Sequence, residues 1–299
     1  MTGQPTRTGK LFLLMACSWL TLASGLLSYE SINSYANGIK IDAATLHAYV
    51  GLVFSLLIIS MTLSLFGKQV LLGEPIGKRQ SAIYCLYGIP FMALAIAIIY
   101  LVYLPLEPYL PNWTLGFLAD SSFDVFKDST STHTTFLLVL ESSVLAPIWE
   151  ELVFRGALLL TLAQWRYIGK AGAAVISSLL FASLHADIIT TFIFGILLCA
   201  ITFKTRSLWP AILIHISYNS LVGLYEWWDP AFPIFIVYLP FESSIWDAIL
   251  DILVVPVSWG LANALVASIS LLWLFLWHIP HCTKRRDAIV RLNSAIDNS

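Results

Sequence analysis

The run Gly88-Ile89-Pro90-Phe91-Met92-Ala93-Leu94-Ala95-Ile96-Ala97-Ile98-Ile99-Tyr100-Leu101-Val102-Tyr103 sits inside a longer stretch, residues 81–105, that holds no charged side chain. At 1.5 Å per residue such a stretch reaches across the roughly 30 Å of hydrocarbon in a bilayer. Its apolar residues do not alternate with polar ones in the period of two that a barrel strand needs. In lipid the remaining way to satisfy every backbone group is a helix. Working outward, comparable stretches fall at about 11–28, 45–66, 136–164, 171–186, 188–203, 208–227 and 254–278. The sequence therefore predicts an all-α polytopic membrane protein of about eight transmembrane helices. The segment from Asp229 to Asp251, interrupted by Pro230, Pro233 and Pro240, reads as a loop or a shallow interfacial piece.

Composition agrees. Of 299 residues, 58% are hydrophobic and 11% charged, and the mean hydropathy is +0.81; soluble domains carry about 25% charged residues. A soluble globular class is excluded, and no basic patch interleaved with aromatics supports nucleic-acid binding. Cys17, Cys85, Cys199 and Cys282 lack CxxC spacing, so neither a disulfide framework nor a thiolate metal site is expected. Arg7 and Lys10 precede an apolar run from Leu11 to Leu27 that reads as an uncleaved first span, because it is long and has no clear small-x-small cleavage site.

Charge placement tests the span count. With a cytoplasmic amino terminus, eight spans put Arg7, Lys10, Lys68, Lys78, Arg79, Arg166, Lys170, Lys204, Arg206, Lys284, Arg285, Arg286 and Arg291 inside, and only Lys40 and Lys127 outside. That bias would be scrambled by adding or dropping a middle span. The expected location is an inner cell membrane, with both termini cytoplasmic and the bilayer as constant partner.

One basic residue remains, and it is buried in the fourth stretch. Ala146-Pro147-Ile148-Trp149-Glu150-Glu151-Leu152-Val153-Phe154-Arg155-Gly156 holds three charges, and Glu141 lies upstream. Each charge at mid-membrane costs roughly 2.5–3.5 kcal/mol even on a lenient insertion scale, so such groups are paired and functional by default. Pro147 cannot donate to the helix ladder and marks a helix start or a kink. Glu151 and Arg155, four apart, meet on one face, whereas Glu150 is turned about 100° away and is the freer carboxylate. Two further clusters are Phe181-Ala182-Ser183-Leu184-His185, followed by Asp187, and His215-Ile216-Ser217-Tyr218-Asn219, where i, i+4 spacing stacks an imidazole and an amide. A bland alternative, in which these groups only clasp the bundle together, competes with a catalytic one.

These residue types suit hydrolysis. A buried carboxylate near an imidazole can hold and deprotonate a water, and donors such as His215 and Asn219 can stabilise the oxyanion formed at an amide carbonyl. The same chain offers a second possibility, Glu150, His185 and His215 as three ligands of a catalytic zinc with an open position, although the HExxH helix is absent. No GxSxG elbow supports a serine nucleophile. A proton-coupled transporter would also use buried Glu, His and Arg, but it predicts inverted repeats, and none is visible.

Glu150-Glu151-x-x-x-Arg155, Phe181-x-x-x-His185 and His215-x-x-x-Asn219, in this order on successive helices, resemble the three motifs of the CAAX-protease and bacteriocin-processing (CPBP, or Abi) family. The stretches Phe194-Gly195-Ile196-Leu197 and Thr205-Arg206-Ser207-Leu208-Trp209-Pro210-Ala211-Ile212 are also similar to its pattern. The resemblance covers residues 136 to about 225. It implies three regions: 1–135, N-terminal spans and an acidic loop; 136–227, the catalytic core; and 228–299, a loop, last span and basic tail. It implies an intramembrane endopeptidase acting on a membrane-associated protein or peptide. Glu150 is then general base, His185 positions the water, His215 and Asn219 form the oxyanion hole, and Glu151, Arg155 and Phe181 support them. That mechanism requires no cofactor; Zn2+ is the alternative, since the family is commonly labelled metalloprotease. A catalytically silent scaffold or immunity protein of the same fold is the competing reading.

One feature conflicts with this topology. If the fifth span starts near Lys170 and the seventh near Leu208 at the same membrane face, His185 lies about 22 Å in and His215 only about 10 Å.

Overall fold

The computed structural model describes residues 43–106, 109, 131–185, 187–228 and 245–281. The expected first span at 11–28, most of the acidic loop, the segment 229–244 and the basic tail lie outside the described residues. Every other expected span is a helix. In chain order these are α1 (Ala43–Phe66), a short strap α2 (Lys68–Leu72), α3 (Lys78–Leu86), and α4 (Gly88–Ile98), which runs on through a wide π-helical turn at Ile99–Tyr103. Next come α5, an unbroken helical rod over 132–162, α6 (Gly169–Ala182), α7 (Ile188–Thr205), α8 (Trp209–Trp228) and α9 (Ile245–Trp273). No strand forms among the described residues. A single β-bridge joins Gly73 to Ser207.

Among the described residues four helical segments are long and apolar enough to cross a membrane: Ala44–Phe66, Lys78–Tyr103, Ile188–Thr205 and Gly260–His281. The rod over 132–162 has the length, but it carries Glu141, Glu150, Glu151 and Arg155. Helix α6, at 14 residues, covers only about 21 Å. The boundary of the last helix moves relative to the sequence reading. Residues 245–251, expected in the loop, already belong to α9, because beyond Pro240 no helix breaker intervenes and Pro256 is accommodated within the helix.

The bundle closes where small residues let backbones approach, as membrane helices require. A Cβ on Gly260 would lie 2.8 Å from Leu101 of the α4 extension, so α9 seats directly on it. The strap α2 tucks against α5, where Gly156 faces Leu71 and Leu208. Beyond the strap the chain turns at Gly73, whose φ of 65° is readily adopted only by glycine. A Cβ there would press on the Arg206 carbonyl at 2.5 Å. This crossing pins the α7–α8 turn: Leu208 N–H donates to the Leu72 carbonyl at 3.0 Å, and the Ser207 hydroxyl donates to the Glu74 carbonyl at 2.9 Å.

That turn is recessed. Thr205, Ser207 and Leu208 are buried beneath the strap, whereas Tyr167 in the α5–α6 turn is 95% exposed. The depths of about 22 Å and 10 Å expected from helical rise do not keep the two imidazoles apart, because the His185 and His215 rings lie 4.6 Å and 5.8 Å from the same Phe181 ring.

Candidate active site

The site begins with an irregularity of backbone in α5. Its segments are Thr132–Leu140, a π turn at Glu141–Leu145, Ala146–Glu150, a second wide segment at Glu151–Leu158, and Leu159–Leu162. In the first π turn the Ala146 N–H reaches back five residues to the Glu141 carbonyl. The next donor in that register belongs to residue 147, which is proline and has none. The Ser142 carbonyl would be left without a partner, at a cost of about 1–3 kcal/mol if buried. Asn219 supplies the missing donor: its Nδ2 lies 3.0 Å from the Ser142 oxygen. Pro147 thus neither starts nor breaks the helix. It shifts the register by one residue, and α8 completes the hydrogen bonding. Such π bulges occur often at functional sites.

The second wide segment carries the charges. Arg155 and Glu151, both fully buried, pair at 2.9 Å between Nη1 and Oε1. His215 of α8, also buried, places Nδ1 2.9 Å from the same Glu151 oxygen. An ionised carboxylate only accepts hydrogen bonds, so Nδ1 carries the hydrogen. The other ring nitrogen, Nε2, faces Glu150 Oε2 at 3.6 Å, beyond hydrogen-bond length. That Glu150 oxygen has no hydrogen-bond partner although it is buried. The two adjacent glutamates have separated as their helical angle requires: Glu151 commits Oε1 to Arg155 and His215, its Oε2 having no hydrogen-bond partner, whereas Glu150 makes no ion pair with Arg155 and keeps the oxygen that faces His215 uncommitted.

Phe181, at the end of α6, ties the third motif to these two. Its ring lies under the Arg155 guanidinium at 4.0 Å, a cation–π contact. It also sits 4.6 Å from the His185 ring and 5.8 Å from the His215 ring, edge-on to the latter. His185 Nδ1 is 2.9 Å from the Phe181 carbonyl, which can only accept, so here too Nδ1 carries the hydrogen and neutral His185 presents Nε2 as a base. Phe194 of α7 closes the other side of His215, with ring centroids 5.0 Å apart. Gly195 next to it lets α7 approach: a Cβ would meet Ser178 at 3.0 Å and Arg155 Nη2 at 3.1 Å.

The structure thus brings Glu150, Glu151, Arg155, His215 and Phe181 into direct contact and places His185 against the same phenyl ring. Asn219 is joined to α5 through the Ser142 carbonyl, a bond the sequence does not announce. The expected zinc set fares differently. Both nitrogens of His215 face carboxylates, and His185 does not complete a set with it. Among the described residues no three His, Cys, Asp or Glu side chains stand together so as to hold a metal ion. The donor set therefore does not fit zinc in this arrangement. Sequence reasoning passed over Trp149 and Tyr103, which look like ordinary apolar-run aromatics. It also left Ser177 unremarked, whose hydroxyl donates to the Phe154 carbonyl in the wide segment at 2.8 Å. A hydroxyl on the inward face of a short helix beside the charged rod is the signal that could have found it.

Comparison with known families matches residues 132–221 to the family described as Type II CAAX prenyl endopeptidase Rce1-like. These residues are the Rce1-like domain only in the sense of that similarity, which covers 90 of the 299 residues. The match takes in α5 through most of α8 and so every charged or imidazole group just described. It is consistent with the CPBP resemblance of the motifs and supports a membrane endopeptidase as the general class. No curated protein and no solved structure gives a significant match. Helices α1 to α4 and α9 lie outside the Rce1-like domain and carry three of the four segments apolar enough to cross a membrane among the described residues.

Proposed function

We propose that this protein is an intramembrane endopeptidase of the glutamate type, cleaving a peptide bond in a membrane-associated protein or peptide. The observation that carries the reading is the uncommitted oxygen of buried Glu150, 3.6 Å from His215 Nε2, beside a Glu151 already neutralised by Arg155. A carboxylate desolvated in this way and left without a hydrogen bond is poised to take a proton. In the proposed reaction Glu150 removes a proton from water while the water oxygen attacks the carbonyl carbon of the scissile amide. His185 Nε2 accepts a hydrogen bond from the water's other O–H, which stays on the water oxygen, and aligns it.

The oxyanion needs donors. Nδ1 of His215 is occupied by Glu151, so His215 must act through Nε2–H, which requires the imidazolium form. The second N–H of the Asn219 amide, the first being bonded to Ser142, adds a donor from the next turn of the same helix. Collapse of the intermediate breaks the C–N bond, and Glu150 returns its proton to the leaving amine.

A substrate-independent experiment tests this. Membranes from cells expressing the wild-type chain or Glu150→Gln are compared by mass spectrometry of newly formed protein termini. Termini that depend on the wild type and vanish in Glu150→Gln are expected. Identical termini in both would refute the protease assignment. The likeness to Rce1-like type II CAAX prenyl endopeptidases makes prenylated CAAX proteins the first substrates to look for.

A further inference from the structure

His185 is held by little of its own. Helix α6 ends at Ala182, and the chain continues through tight turns in which His185 N–H donates to the Ala182 carbonyl. The ring bonds only to the carbonyl of Phe181, four residues earlier in its own chain. Its place relative to the rest of the bundle must come from what fixes the connection into α7. Asp187 begins that helix: its Oδ1 accepts from Thr190 N–H at 3.0 Å, an N-cap. A cap alone needs no third party. Here the same oxygen receives the hydroxyl of Tyr103 at 2.6 Å, and the Tyr103 oxygen in turn accepts from Ile189 N–H at 3.2 Å.

Tyr103 is fully buried. It lies in the π turn at Ile99–Tyr103 that extends α4, outside the Rce1-like domain at 132–221. The α9 helix backs this turn, with Gly260 pressed on Tyr100 and Leu101. An O–H···O⁻ bond of this length is of the strong, charge-assisted kind. Two peptide units separate the α-carbons of His185 and Asp187, so they lie at most about 7 to 8 Å apart. An anchor on Asp187 is therefore an anchor on His185.

We infer that Tyr103 is a positioning residue of the catalytic site, which through its bond to Asp187 sets the place of the His185 imidazole. The inference rests on the protease reading for its consequence and on geometry for its substance. It assigns the helices before the Rce1-like domain a part in the site.

The test uses the full chain in lipid nanodiscs with 15N-histidine labelling, the His185 signals being identified by their loss in His185→Gln. Tyr103→Phe is expected to shift or broaden the His185 ring signals while those of His47 and His133 stay in place, the chain remaining folded although it unfolds at a lower temperature for want of the buried bond. In membranes the same variant is expected to slow formation of the wild-type-dependent termini by roughly ten- to hundredfold, the scale of a catalytic group displaced by about an ångström. Asp187→Asn, whose amide oxygen can still accept from both Tyr103 and Thr190, is expected to retain activity, and Asp187→Ala to lose it. An unmoved His185 signal in Tyr103→Phe, or full activity in a wild-type-competent assay, overturns the inference. If the wild type forms no termini the protease reading fails by itself, and the resonance measurement still decides whether Tyr103 places His185.

Discussion

Replacing Arg155 with methionine removes the guanidinium paired with the fully buried Glu151 carboxylate, and the size of the effect can be worked from the geometry. At 2.9 Å and an effective dielectric constant near 20, the gross attraction to Glu151 is about 6 kcal/mol. Part of that is offset because methionine spares the desolvation of the guanidinium. Buried pairs broken from one side typically lose about 3–5 kcal/mol, and loss of the contact with the Phe181 ring acts in the same direction. Glu151→Met/Arg155→Met, which leaves no unpaired charge, should be less destabilised than Arg155→Met alone. Stability can be read by titrating the protein in mixed micelles with dodecyl sulfate and following maleimide labelling of buried Cys199, with Cys17, Cys85 and Cys282 replaced by alanine. A loss below about 1 kcal/mol for Arg155→Met, with the double variant merely additive, would refute the view that this ion pair is a structural clasp.

Two other outcomes follow from the same geometry. Asn219→Leu strips the Ser142 carbonyl of its donor and should cost about 1–3 kcal/mol; adding Pro147→Ala, which restores a backbone N–H to the ladder, should recover part of that loss but none of the activity, as micelle titration and the termini assay together will show. Cleavage by the purified protein should survive exhaustive chelation, because both His215 nitrogens are directed at carboxylates; chelator-sensitive cleavage with stoichiometric zinc in elemental analysis would instead require His215 to turn away from Glu151.

Much of the arrangement was legible beforehand, because lipid makes sequence unusually explicit. Each apolar stretch within the described residues became a helix, since nothing else satisfies its backbone. The separation of Glu150 from Glu151, and the pairing of Glu151 with Arg155, followed from helical angle alone. Among the described residues, though, four helical segments meet the length and hydropathy of a span, so the expected count of eight is not reached there. The crossing that pins the α7–α8 turn was illegible because it is tertiary, Gly73 against the Arg206 carbonyl, between segments more than 130 residues apart. Asn219 was identified by its position four residues after His215 and assigned only to the oxyanion. Its bond to Ser142 depends on a register shift at Pro147 that no periodicity reveals. Tyr103 was hidden for a simpler reason: a tyrosine ending an apolar helix reads as an interface anchor, and only the fold brings its hydroxyl to Asp187.

The adjacency of the two glutamates then has a physical explanation beyond their separate roles. Two carboxylates buried side by side repel, and one of them would be expected to take up a proton permanently. Arg155 cancels Glu151, so the remaining pair, Glu150 and His215, needs one proton between them to keep the buried cluster neutral. That proton can sit on His215, leaving Glu150 a base and Nε2–H an oxyanion donor, or on Glu150, leaving His215 neutral. Both arrangements carry the same net charge. In the proposed reaction the proton taken from water by Glu150 is balanced by the negative charge on the oxyanion, and its delivery to the leaving amine restores the starting state. No step changes the net charge of a site from which water is largely excluded, and that is the condition under which acid–base chemistry can run at low dielectric without a large Born penalty. Replacing Glu151 with a neutral residue should therefore do more than loosen the helix: it leaves Arg155 uncompensated and makes the imidazolium form of His215 a net positive charge, withdrawing the oxyanion donor that the mechanism needs.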